Sequence, residues 1–231
     1  MRSLLILSGL VWGSQAFAAD MSVADIYGSK IEFDVLRDGA VVGEHITRFE
    51  ETGDRLVVMS SMKVELKLLF MPVYSFDYKA REVWKRNNLL SLNVTVYDDG
   101  ESKAFSGEKE GDKFVVTGNG NPYALPAAIY TTNHWNSGVI SQEKVLNTLT
   151  GKLNQVMIKP QGMETISIRG GDMEAARYDY TGELRDTSVW YDQSGRWVKL
   201  EFKAEDGSII SYRCRNCIED AAPGETARLV N

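Results

Sequence analysis

The chain has 231 residues, with 26 basic against 32 acidic side chains and a formal charge of −6. An acidic chain without a basic block repels phosphates, which argues against nucleic acid or an anionic membrane surface as a partner. Hydrophobic residues make up 43%, with five Trp and ten Tyr, which excludes disorder and points to a substantial core.

The first residues read as a leader. Arg2 precedes an apolar run from Leu4 to Trp12, and Ala16-Phe17-Ala18 matches a small-x-small cleavage site, so residues 1–18 are expected to be a signal peptide. The apolar run is about half the length that spans a bilayer, and no later stretch is longer, so no transmembrane anchor is expected. Removing Arg2 with the leader takes the charge from −6 to −7. No cysteine lies near the cleavage site to take a lipid, so the expected product is soluble and exported, periplasmic in a Gram-negative bacterium.

Alternation dominates the chain beyond the leader. Ile31, Phe33 and Val35 alternate with polar residues, Asp38-Gly39 supplies a hairpin turn, a strand runs from about Val41 to Phe49, and Gly53-Asp54 turns the chain again. From Met62 to Trp84 the even positions Met62, Val64, Leu66, Leu68, Phe70, Tyr74, Phe76, Tyr78 and Trp84 are apolar or aromatic, while the odd ones are largely charged or polar. Pro72 cannot donate to a ladder, so two strands, or one long strand broken at a bend there, are expected, with the same face kept on both sides. Leu90, Leu92, Val94 and Val96 form the next face, ending at Asp98-Asp99-Gly100. Segments near Ala104–Ser106 and Phe114–Thr117 flank a turn at Gly111-Asp112.

Between Gly118 and Gly151 the pattern changes. A loop punctuated by Pro122 and Pro126 precedes a short expected helix capped by Ser141, with Val145, Leu146 and Leu149 inward and Gly151 as its stop. Strands then resume at 153–158, 164–169, 175–183, 188–192, 196–203 and 208–214, and residues 219–231 form a polar tail. No linker divides residues 19–218. About a dozen antiparallel strands exceed what an open twisted sheet carries easily, so the predicted fold is all-β, one curled antiparallel sheet forming a barrel or half-barrel with one short helix.

Few constellations carry chemistry. Cys214 and Cys217 form a CxxC that could be a disulfide, a redox pair or half a metal site. It ends a strand rather than starting a helix, no further ligands are suitably spaced, and an oxidising compartment favours a structural disulfide, provided the chain turns at Arg215-Asn216. His134 lies in the loop before the expected helix beside Trp135, either at a pocket rim or over packed Trp. His45 is expected at a solvated or edge position, opposite Val42 and Ile46. No nucleophile elbow, zinc-protease motif or phosphate loop occurs. Glu82 breaks an otherwise apolar face; it lines a cavity or marks where the strand leaves the core.

Several segments together resemble a known family: Arg81-Glu82-x-Trp84 with Leu89-Leu90-x-Leu92, Asn133-His134-Trp135-Asn136, Val145-Leu146-Asn147-Thr148-Leu149-Thr150-Gly151, Tyr178-x-Tyr180-Thr181-Gly182-Glu183-Leu184, Trp190-Tyr191-Asp192 and Gly195-Arg196-Trp197-Val198. The set resembles domain-of-unknown-function family 6134, similar in character to the 3108 group of curled antiparallel-sheet proteins. What the resemblance implies is a periplasmic curled sheet, with no catalytic residue to carry over, and Cys214 and Cys217 lie outside the shared pattern.

The leading functional expectation is a non-enzymatic envelope protein holding a lipid or other apolar ligand in the concave face, through Tyr74, Phe76, Tyr78, Glu82, Trp84, His134 and Trp135. A periplasmic module with a solid core and an envelope protein as partner is the alternative; a hydrolytic or thiol enzyme ranks third. No catalytic residue, metal or cofactor is assigned.

Overall fold

The computed structural model describes residues 22–118 and 120–216. The expected signal peptide, Cys217 and the polar tail lie outside the described residues. One 15-stranded sheet accounts for most of the described chain. Its strands are β1 Lys30–Arg37, β2 Ala40–Thr52, β3 Arg55–Leu68, β4 Met71–Lys85, β5 Asn88–Asp98, β6 Glu101–Glu110, β7 Lys113–Thr117, β8 Tyr123–Pro126, β9 Tyr130–Thr131, β10 Lys144–Leu146, β11 Leu153–Ile168, β12 Gly171–Gly182, β13 Thr187–Tyr191, β14 Trp197–Lys203 and β15 Ile209–Cys214.

The strand order is β8-β7-β6-β5-β4-β3-β2-β1-β15-β14-β13-β12-β11-β10-β9. Two meanders therefore meet at the pair β1·β15, where Phe33 faces Cys214 and Arg37 faces Ile210. The edges, β8 and β9, come from the middle of the chain and are separated only by residues 127–129. All pairings are antiparallel except β9·β10. The sheet curls without closing its ladder, and the Tyr123 hydroxyl donates to the Gly151 carbonyl across the gap.

Short turns set the alternation of direction. Asp38-Gly39 and Asp99-Gly100 both have positive φ at each residue, the requirement of a tight hairpin that Asp and Gly meet with least strain. The hairpin β3·β4 turns at Leu69-Phe70, with φ of 49° and 69°. Pro72 is thus the second residue of β4 rather than a bend between strands. A register shift at Leu66/Lys67 accommodates it.

The N-terminal helix α1, Val23–Tyr27, is capped reciprocally by Ser22 and Asp25. It closes one end of the curl, where the Tyr27 hydroxyl donates to the Trp135 carbonyl at 2.7 Å and accepts from Trp197 N at 2.8 Å. The helix expected over Ser141–Leu149 is instead a 3-10 turn, Ser137–Ser141, followed by β10. Val145 and Leu146 are buried as expected, but through pairing with Asn154 and Leu153 of β11. Local capping signals give way to the free edge of a long strand.

Candidate functional site

The segment from Tyr130 to Thr148 enters the curl and fills the end that α1 closes. Its anchor is Glu82, on the inner face of β4 and 0% exposed. Four donors reach the carboxylate: Thr131 Oγ1 at 2.7 Å and Asn133 Nδ2 at 2.9 Å on Oε1, and Trp84 Nε1 and Trp135 Nε1, both at 2.9 Å, on Oε2. Burial raises the Glu82 pKa, and the bonds from Thr131, Trp135, Trp84 and Asn133 pull it back. The acid thus fastens the inserted segment to the wall. Neither sequence alternative for Glu82 holds: it neither lines the cavity nor marks the strand's exit from the core.

Above this plug a cavity of about 370 Å³ opens toward the other end of the curl. His45, Met62, Tyr78, His134, Trp197 and Tyr212 line its inner part. Trp197 is the hub, with ring centroids 5.5 Å from His45, 5.8 Å from His134 and 5.8 Å from Tyr212. At the mouth, apolar Leu149, Leu184 and Phe202 mix with Glu183, Arg185, Lys203 and Glu205.

Hydrogen bonds fix most of the polar lining. The Tyr78 hydroxyl donates to Asn133 Oδ1 at 2.8 Å, His134 Nδ1 lies 3.3 Å from the Tyr180 hydroxyl, and His45 Nε2 lies 3.1 Å from Thr47 Oγ1. His45 Nδ1 is buried and has no protein partner. Burial pushes the His45 pKa down to about 3, with the neighbouring His134 adding to the effect, and burial alone brings His134 to about 4. Both imidazoles are therefore neutral near pH 7, and each can donate or accept according to tautomer. Burial also raises the Tyr78 and Tyr212 hydroxyls, which stay protonated.

Of the residues expected to bind ligand, Tyr78 and His134 line this cavity. Glu82, Trp84 and Trp135 lie together in the plug, where Trp84 and Trp135 meet edge to face at 5.5 Å. Tyr74 donates to Asp98 at 2.8 Å, and Phe76 packs half-buried against the core; neither reaches the cavity. Cys214 is buried and disulfide-bonded. Among the described residues, no group of three or more His, Cys, Asp or Glu could hold a metal ion.

Sequence reasoning misses His45 and Trp197. Alternation assigns His45 to the outer face because Val42 and Ile46 are the more apolar set. It points inward because Phe33 and Met62, its register partners, are core residues, and Thr47 and Phe49 follow it inside. A bulge at Trp190/Tyr191 brings Trp197 opposite Tyr191, on the same side as Leu200. Phe49, two residues beyond Thr47, is the one available hint.

A protein-family model described as Domain of unknown function (DUF6134) matches residues 33–215. The chain belongs to this family. No curated protein matches it. Among solved structures the family member is similar to a β-barrel-like protein of the DUF1849 family from Brucella abortus, with a TM-score of 0.55 at 9% identity, covering 79% of this chain and 93% of the other. At that identity the likeness concerns the fold, a curled antiparallel sheet.

Proposed function

We propose that this DUF6134 protein is an exported, non-enzymatic binder of one small amphipathic ligand, an acyl chain or comparable apolar body bearing a polar group. The observation that carries the reading is the cavity itself: it is open at one end, its inner wall is largely aromatic, and its mouth carries the cationic side chains of Arg185 and Lys203. Small-ligand sites combine a mostly apolar wall with a few convergent polar groups. The ligand's apolar body would lie against Trp197 and Tyr212, and Arg185 and Lys203 at the mouth suit a carboxylate. Export rests on the leader pattern of residues 1–18.

The test is uptake of a fluorescent fatty acid, cis-parinaric acid, by delipidated protein, with energy transfer from tryptophan as readout; Trp197 lines the cavity. Saturable 1:1 binding, weakened at least tenfold by Leu184→Trp at the mouth, is the expected result. No uptake, with a clean apo mass for protein purified from its host, would remove the reading. The plugged half of the interior favours, as a second reading, a module that engages an envelope protein through its outer surface. Crosslinking in cells that recovers a single partner, together with absence of ligand, would select it.

A further inference from the structure

The β3·β4 hairpin departs from the other tight turns. Its two turn residues are Leu69 and Phe70, both with positive φ, where the hairpins β1·β2 and β5·β6 use Asp-Gly. Bulky side chains in that region carry conformational strain that Asn-Gly or Asp-Gly would largely avoid. The strained residues gain no packing in return: Leu69 is 84% and Phe70 96% exposed, and Met71 and Val73 are exposed beside them. Strain kept at an exposed site points to a use for that site.

Position adds a second observation. Strands that alternate in direction carry the turns at 38–39, 69–70 and 99–100 to the same end as the loops 183–186 and 204–208. Glu183, Arg185, Lys203 and Glu205 of those loops rim the cavity, so the apolar tip stands at the open end. Val41, Tyr97, Leu149 and Ile209, also exposed, belong to the same end.

We propose that the Leu69-Phe70 tip seats the protein on a zwitterionic lipid surface, with the cavity mouth turned toward it. Three features select a bilayer over a protein groove. The tip is convex and its terminal side chains are open to solvent on nearly all sides, whereas a groove covers one face. No charged residue occurs from Leu68 to Tyr74. Val73 and Phe70 lie three residues apart, roughly 10 Å along a strand, which matches the ~5–10 Å depth to which interfacial apolar segments bury. The formal charge of −6 and the uncharged tip together exclude attraction to anionic headgroups as the driving force. Seating on lipid does not depend on whether the cavity takes a ligand.

The experiment places an environment-sensitive nitrobenzoxadiazole label on the full chain at Met71→Cys, and separately at Asp54→Cys in the turn at the opposite end. Both are labelled without reductant so that the Cys214 disulfide stays intact. With phosphatidylcholine vesicles the label at 71 should shift to the blue and brighten while that at 54 does not change, and phosphatidylglycerol should not strengthen the effect. In an otherwise unlabelled chain, Leu69→Asn with Phe70→Gly should weaken vesicle binding at least tenfold while raising Tm by roughly 2–5 °C, because the turn loses its strain. Residues 4–12 are common to all variants, so the difference reads the tip. No shift at position 71, or equal binding by the Asn-Gly variant, overturns the proposal. So does a concentration-dependent dimer that the Asn-Gly variant abolishes without vesicle binding, which would give the tip to a second copy of the chain.

Discussion

Trp135 Nε1 lies 2.9 Å from Glu82 Oε2, joining the inserted segment to the wall across 53 residues of chain. The carboxylate can accept four hydrogen bonds and receives four. Glu82→Gln turns one oxygen into a donor and so removes an acceptor from a site where four donors converge. It should lower stability by ~2–4 kcal/mol, read as a fall in the urea midpoint at unchanged m. Glu82→Leu orphans all four donors and should cost more than Gln; the reverse order would mean that the acid is not the anchor.

Acid sensitivity follows from the two buried imidazoles. Their folded pKa values, about 3 for His45 and about 4 for His134, lie below the ordinary 6.5. The unfolded chain therefore binds protons below pH 6.5 that the folded chain refuses, and stability falls as pH drops from 6.5 toward 4. Each imidazole should remove roughly 2 kcal/mol between pH 7 and 5. Glu82, whose pKa is raised, works in the opposite sense: its contribution is full below the unfolded value and declines as pH rises. Urea titrations at pH 7 and pH 5 on the parent and on His45→Gln isolate the imidazole, and the variant should lose about 2 kcal/mol less. An unchanged loss would place His45 in contact with solvent.

Strand spacing at β2·β3 depends on Gly43. A Cβ there would stand 2.0 Å from the Lys63 carbonyl oxygen and 2.9 Å from Val64 Cα, both backbone atoms that cannot swing aside. Gly43→Ala should force the two strands apart and cost about 1–3 kcal/mol, visible in thermal melting. At Gly39, with φ of +84° and open space around it, alanine meets only backbone strain and should cost less.

The seam between the two meanders carries one ion-pair cluster. Asp34, nearly fully buried on β1, receives Arg213 Nη2 at 3.1 Å and Arg215 Nε and Nη2 at 3.0 and 2.8 Å from the far end of the chain. Burial opposes ionisation of Asp34, but the Arg213 and Arg215 bonds outweigh it and hold the pKa below the ordinary value. The stabilisation is present above the unfolded pKa and lost as pH falls through the folded one. Asp34→Asn should cost about 1–3 kcal/mol at pH 7 and progressively less as the pH falls below 3.8 toward the depressed folded pKa, a decline that melting curves across acid pH would show.

The class of fold is legible in the residue pattern. Alternation from Met62 to Trp84 and from Leu90 to Val96, with Asp-Gly turns between strands, specifies antiparallel hairpins because side chains in a strand point alternately to its two faces. The same pattern marks Tyr78 as inward-facing and Glu82 as unusual, whereas His134 stands in a loop that alternation does not reach. Where the inward residues meet is a separate matter. Val145 and Leu146 read as a helix face because their capping signals are local, whereas the partner strand β11 that claims them is a tertiary fact. His45 and Trp197 become cavity residues only through register with Phe33, Met62 and Tyr191, set by pairing and by a bulge that shifts facing by one residue. Period two assigns a face to each residue of a strand; only the curl of the sheet decides which faces surround the plug and which surround the cavity.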